Sequence, residues 1–147
     1  MQKVAISACL LGQQCRYDGR ENRDVVLLER LKDKTLIPFC PEDFCYGTPR
    51  PTMDLVETAE GVRALSNQTG TDLSAPVIAY AEAFFAAHPD IDLFIGKDRS
   101  PSCGVCSAKR YSPDKTLLSE AATGLMVAVA REKGVRCWDA EAYALEA

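Results

Sequence analysis

The run Lys3-Val-Ala-Ile-Ser-Ala-Cys9 is short, continuously apolar and partly β-branched, and it ends on a cysteine. Continuous rather than alternating apolar character marks a strand covered on both faces. KVAISA is therefore read as the first and central strand of a sheet. Outward from it, Asp24 opens VVLLERLKDK as a short amphipathic helix, and TLIPF (35–39) is a second strand stopped by Cys40-Pro41. Residues 42–53 read as irregular, VRAL (62–65) as a short edge strand, and Thr71-Asp72 as the start of a long helix running to His88. DLFIGK (92–97) is the next strand. Leu117 to Lys133 reads as the strongest helix, with Leu118, Ala121, Ala122, Leu125 and Val129 on one face and Gly134 at its end. VRCW (135–138) is a last strand and AEAYALEA (140–147) a terminal helix. Strands alternating with helices give an α/β class: a compact three-layer Rossmann-like domain with a mostly parallel sheet covered on both faces.

Composition sets limits on function. A chain of 147 residues, 47% hydrophobic and 26% charged, is a globular chain able to bury one core, read as a single domain over 1–147. The net charge of −4 supplies no global basic field to draw nucleic acid. No apolar run approaches the ~20 residues of a membrane span. The apolar N-terminal run passes straight into polar Gln13-Gln14-Cys15-Arg16, unlike a signal peptide. A reducing cytoplasm is the expected location, and an odd count of seven cysteines argues against a disulfide framework.

Six of the seven cysteines fall in close pairs after strand-like runs: Cys9/Cys15, Cys40/Cys45 and Cys103/Cys106. The C-terminal ends of parallel strands share one edge, where sites form. Three distant segments can thus deliver thiolates to one place, and three or four converging thiolates make a metal or iron–sulfur site. Singly, each motif has an ordinary reading. Cys9 suits a buried small hydrophobe, Cys40-Pro41-Glu42 a turn with a solvated acid, and Arg50 a solvated turn arginine. Ser100-Pro101 suits a helix N-cap with proline at its first position. The chemical readings run beside these. Cys15 lies next to Arg16, which favours a thiolate. Pro41 fixes the backbone at Cys40, and Glu42 sets a carboxylate where it can move a proton or orient water. Lys97 and Arg99 are placed to meet an anionic substrate, and Arg50 suits planar recognition of a carboxylate, phosphate or carbonyl edge. His88 and Cys137 carry no assigned chemistry.

SACLLGQQCRYDG (7–19), CPE…GTPRP (40–51) and KDRSPSCG (97–104), in that order, resemble the bacterial domain-of-unknown-function family 523, which includes the thiouracil desulfidases. The likeness spans nearly the whole chain. It implies iron–sulfur-dependent, non-redox, hydrolytic desulfuration of 4-thiouracil or 4-thio-UMP, giving the uracil form and hydrogen sulfide. The implied cofactor is a 4Fe–4S cluster with three cysteine ligands and one open iron. Matching motifs place those ligands at Cys9, Cys40 and Cys103, with Cys15 in reserve. The family's catalytic Glu and Ser fall on Glu42 and Ser100, and Arg16, Arg50, Lys97 and Arg99 are candidates to bind a substrate phosphate. Expected partners are the thiolated pyrimidine or its nucleotide and the iron–sulfur assembly machinery. The acidic chain has no added RNA-binding domain, which disfavours tRNA. The chain departs from the family at Phe44-Cys45-Tyr46-Gly47, where Gly-Gly-Leu is usual, and Cys45 and Cys106 look like additions.

Two other classes compete. A zinc-bound interaction module would use the cysteines for folding, but there is one CxxC and no second histidine. A thiol-redox protein would use Cys103/Cys106, with Ser102 ahead of the motif and Gly-Val between its cysteines.

Overall fold

The computed structural model describes residues 2–20 and 22–146. KVAIS forms β1 (Lys3–Ser7), with Val4, Ala5 and Ile6 fully buried. β1 lies inside a four-stranded, wholly parallel sheet ordered β2-β1-β5-β8, where β2 is Thr35–Phe39, β5 Leu93–Gly96 and β8 Arg136–Asp139. β2 takes the edge, the one place where Pro38 costs no ladder bond to a second neighbour. Val4 and Ile6 face Leu27 of α1 (Val25–Arg30), Leu31, and Ala140 at the start of α5 (Ala140–Glu146). Ala5 faces the other way, onto α3 (Ser74–Ala87) and α4 (Leu125–Glu132) through Ala81, Phe85, Met126 and Val127. The expected three layers are present, and continuous apolar character in β1 follows from burial on both sides. Asp24 caps α1 as expected, its Oδ1 accepting from the Leu27 N–H at 3.0 Å.

A second sheet was not expected. β3 (Met53–Thr58), β4 (Gly61–Ser66), β6 (Ala108–Tyr111) and β7 (Leu117–Ala122) form a mixed sheet ordered β4-β3-β6-β7. VRAL lies in β4 and is an edge strand, as read. Met53, Leu55, Ala64, Ala108 and Ala122 bury one face of this sheet against Val77 of α3.

The single helix expected over 117–133 is instead β7 followed by α4. Leu118, Ala121, Leu125 and Val129 fall at helical spacing, but Leu117–Ala122 pairs with β6, and Gly124 is extended at φ −66°, ψ 160°. A Cβ on Gly124 would lie 2.5 Å from the Ser102 carbonyl carbon, so the chain turns where it packs on residues 102–103. The irregular segment is also shorter than expected, because Pro41–Tyr46 is a helix, α2, with Pro41 in its first turn. α3 starts at Ser74, whose N–H donates to Asp72 Oδ1 at 2.9 Å, and Pro76 sits within its first turn. Ala147, the last residue of the expected terminal helix, lies outside the described residues, as does Glu21 in the loop after Cys15. Among the described residues, no helix is long and apolar enough to cross a membrane.

Candidate active site

The C-terminal ends of β1, β2 and β5 open onto one cavity of about 560 Å³. Cys9 enters it from a 3-10 turn (Ala8–Leu11) that follows β1, Cys40 from the end of β2, and Cys103 from the loop after β5. Cys15, Arg16 and Tyr17 close one side. Asp54 of β3 and the residues flanking β3 and β4, namely Arg50, Thr52 and Asn67, also line the cavity. Every candidate site residue read from sequence therefore borders one cavity: Cys9, Cys15, Cys40 and Cys103, with Glu42, Ser100, Arg16, Arg50, Lys97 and Arg99. Cys45 and Cys106 do not border it, and Cys106 is exposed with Arg131 donating to its Sγ at 3.5 Å.

The strand ends are tied together before any ligand enters. The Ser7 hydroxyl at the end of β1 accepts from the Lys97 N–H at 2.9 Å, just past β5. The Cys40 N–H donates to the Tyr80 hydroxyl at 3.2 Å, fixing the end of β2 to α3. The Cys103 loop is seated from three directions. Gly96 is so close beneath it that a Cβ there would lie 1.8 Å from the Cys103 carbonyl oxygen. Gly124 packs on residues 102–103 from another side. Asp139 accepts from the Val105 and Cys106 N–H groups at 2.8 and 2.9 Å and from the Ser107 hydroxyl at 2.8 Å. The Ser100 hydroxyl oxygen accepts from the N–H groups of Ser102 and Cys103 at 3.2 and 3.1 Å, so it shapes the loop whose thiol it precedes.

The thiols perturb one another. A hydrogen bond from Cys15 lowers the Cys9 thiol below its ordinary value, despite burial and the neighbouring Cys103 and Cys40. For Cys15, the bond to Cys40 pulls down, but the bond to Cys9 and burial outweigh it and push the thiol up to about 11. Cys40 is raised by its bond with Cys15 and by burial, and Cys103 by burial and by the charges of Glu42 and Cys40. Thiols that oppose one another's ionisation can all become thiolates only around a cation. Among the described residues no three Cys, His, Asp or Glu side chains converge closely enough to hold a single metal ion. Cys9, Cys15, Cys40 and Cys103 all border the same cavity, and thiols are the donors that iron–sulfur groups take. The donor set fits a soft, polynuclear iron group.

Glu42, at the first turn of α2, borders the same cavity. Burial raises its carboxyl above the usual carboxylate range, opposed by Arg50, Ser102 and Ser100. The Ser102 hydroxyl donates to Glu42 Oε2 at 3.0 Å, and Arg50 Nε stands 3.7 Å from Oε1. Arg50 is committed to the protein, donating from Nη1 to the Gly47 carbonyl at 3.1 Å and the Thr48 hydroxyl at 2.9 Å. Lys97 is made less basic by burial and by Arg99. Arg99, at a left-handed φ of 67°, pairs with Glu141 at the rim. Ser102, Asp54, Asn67 and Thr52 were not read from sequence. The second serine of Ser100-Pro-Ser102 was the one available signal for Ser102, while Asp54 lies in β3 of the unforeseen sheet and Thr52 and Asn67 flank its β3 and β4.

Fold and site together define an α/β protein with a thiol-lined cavity at the strand ends of a parallel sheet. Residues 4–142 match the 2-thiouracil desulfurase family, and the chain belongs to that family. Among solved structures it is similar to the [4Fe–4S]-dependent thiouracil desulfidase TudS, at 28% identity and a TM-score of 0.73 over 99% of this chain and 98% of that one. It is also 26% identical to the uncharacterized protein YbbK of Bacillus subtilis, over 69% of this chain and 72% of the relative.

Proposed function

We propose that this chain is a hydrolytic desulfidase that converts the C=S of a thiolated pyrimidine to C=O and releases sulfide. The observation that carries the reading is the meeting of Cys9, Cys40 and Cys103 with Glu42 around one cavity. Membership of the 2-thiouracil desulfurase family supports it. Held by Cys9, Cys40 and Cys103, with Cys15 as the alternative ligand, a 4Fe–4S group would keep one iron open and supply a soft Lewis acid for a thiocarbonyl sulfur.

The chain's own groups do the rest. A carboxylate raised by burial is a better proton acceptor than one in water, so Glu42 takes the proton of the attacking water. Ser100 uses its oxygen to accept from two N–H groups, which leaves its O–H free to donate to Glu42 or to charge developing on the ring. Water adds at the ring carbon with one proton passing to Glu42; the new hydroxyl then gives up its proton to become C=O as the C–S bond breaks, both protons leave with the sulfur as hydrogen sulfide, and no electron is transferred. Arg16, Lys97 and Arg99 border the cavity and are the groups that would hold the phosphate of 4-thio-UMP, the substrate considered beside free 4-thiouracil. The cluster itself would come from the iron–sulfur assembly machinery of the cell.

The test is anaerobic purification, iron and sulfide counts, and loss of thiocarbonyl absorbance with 4-thiouracil and 4-thio-UMP. Cys103→Ala is expected to lose the cluster; Glu42→Ala is expected to keep it and lose turnover. A colourless protein, inert after iron–sulfur reconstitution, would return the site to zinc or thiol chemistry.

A further inference from the structure

Ser102 occupies an unusual place beside the reacting groups. It is fully buried and does not border the cavity, yet its hydroxyl donates to Glu42 Oε2 at 3.0 Å across 60 positions of sequence. Glu42 does border the cavity, so Ser102 reaches substrate only through it. The other carboxylate oxygen, Oε1, faces Arg50 Nε at 3.7 Å, and the two side chains are 15% and 6% exposed. That Nε is buried without a hydrogen-bond partner among the described residues, while Nη1 is anchored on Gly47 and Thr48. A glutamate has three rotatable bonds, and both of these contacts to its carboxylate come from outside α2. Ser102 and Arg50 grip it from two sides.

We propose that Ser102 is a positioning residue, which with Arg50 opposite it fixes the plane of the Glu42 carboxylate toward the cavity. The inference rests on the reading that Glu42 acts on the substrate's attacking water. Placement matters because a displacement of about 1 Å at a reacting group can cost about 100-fold in rate. The Ser102 backbone is held independently of its hydroxyl. Its N–H donates to Ser100, its carbonyl accepts from Met126 N–H at 2.9 Å, and Gly124 packs against it. Removing the hydroxyl therefore takes one contact from Glu42, leaving those with Arg50 and Ser100, without freeing the loop.

The experiment compares wild type, Ser102→Ala, Glu42→Asp and the double variant, all cluster-loaded. Ser102→Ala is expected to lower kcat by about 10- to 100-fold with KM and cluster content unchanged. In the Glu42→Asp background, whose shorter side chain no longer reaches Ser102, the same change should add little. A crystal structure of Ser102→Ala should show the carboxylate turned from its wild-type position. Additive losses, a raised KM at constant kcat, or turnover lost in step with cluster content would each overturn the proposal. If wild type desulfurates nothing, the catalytic reading of Glu42 falls, and an unmoved carboxylate in the Ser102→Ala crystal would overturn the clamp as well.

Discussion

Asp139 ends β8 with a carboxylate only 8% exposed, and the three donors it accepts from all belong to the segment just after Cys103. Truncating it strands those donors, and each unmet buried donor costs about 1–3 kcal/mol before relaxation. Asp139→Ala is expected to lower unfolding free energy by about 2–4 kcal/mol in urea titrations. Asp139→Asn keeps one acceptor oxygen and should lose less; an Asp139→Ala variant as stable as wild type would show that the carboxylate is not what anchors the loop. The same residue shows what a sequence hides. Cys9, Cys40, Cys103, Glu42 and Ser100 were legible because each follows a strand-like run, and strand ends share an edge. Asp139 and Ser102 were not, because their meaning lies in partners 32 to 34 and 60 positions away. Arg50 was legible as a site residue, but its engagement with Gly47, Thr48 and Glu42 was not.

Among elements, the seat of the Cys103 loop on β5 is the contact with least slack. A Cβ at Gly96 would lie 1.8 Å from the Cys103 carbonyl oxygen and 2.8 Å from its carbonyl carbon, backbone atoms that cannot swing aside as a flexible side chain would. Gly96→Ala is expected to cost at least about 3 kcal/mol and to abolish cluster loading. Gly134, with φ +77° and open space around it, sets the comparison: Gly134→Ala should cost about 1–2 kcal/mol and leave the site intact. If the two variants melt alike, the loop does not rest on β5. The start of α3 offers a pH test. Burial works against ionisation of Asp72, but Ser74 and Arg63 outweigh it and hold its carboxyl below 3.8. A carboxyl lowered in the folded state stabilises above its unfolded value, and that contribution disappears as pH falls through the lowered one. Asp72→Asn should therefore be less stable than wild type at neutral pH by under about 1 kcal/mol, since the group is exposed, with the gap closing in acid. Elements of the parallel sheet were readable because burial on both faces leaves long apolar runs. β3, β6 and β7 span four to six residues and are partly exposed, so no apolar period declares them.

At the scale of the whole molecule, the thiols sit at the ends of three neighbouring strands of one sheet only. Cys9 follows β1, Cys40 follows β2, and Cys103 follows β5, while Asp54 of β3 and its flanking residues Arg50, Thr52 and Asn67 reach the cavity without a thiol. A group bound by all three thiolates would cross-link the edge of the parallel sheet and leave the β3/β4 hairpin untied. Binding to the folded state alone stabilises by about 4 kcal/mol when the ligand stands a thousandfold above its dissociation constant. Chelating the iron should therefore lower the unfolding midpoint. Hydrogen exchange should rise chiefly in residues 8–17, 40–46 and 98–107, with β3 and β4 little changed. Uniform loss of protection would instead make the cluster a keystone for both sheets. No change at all would mean that these thiols hold no cluster, and the desulfidase reading would go with it.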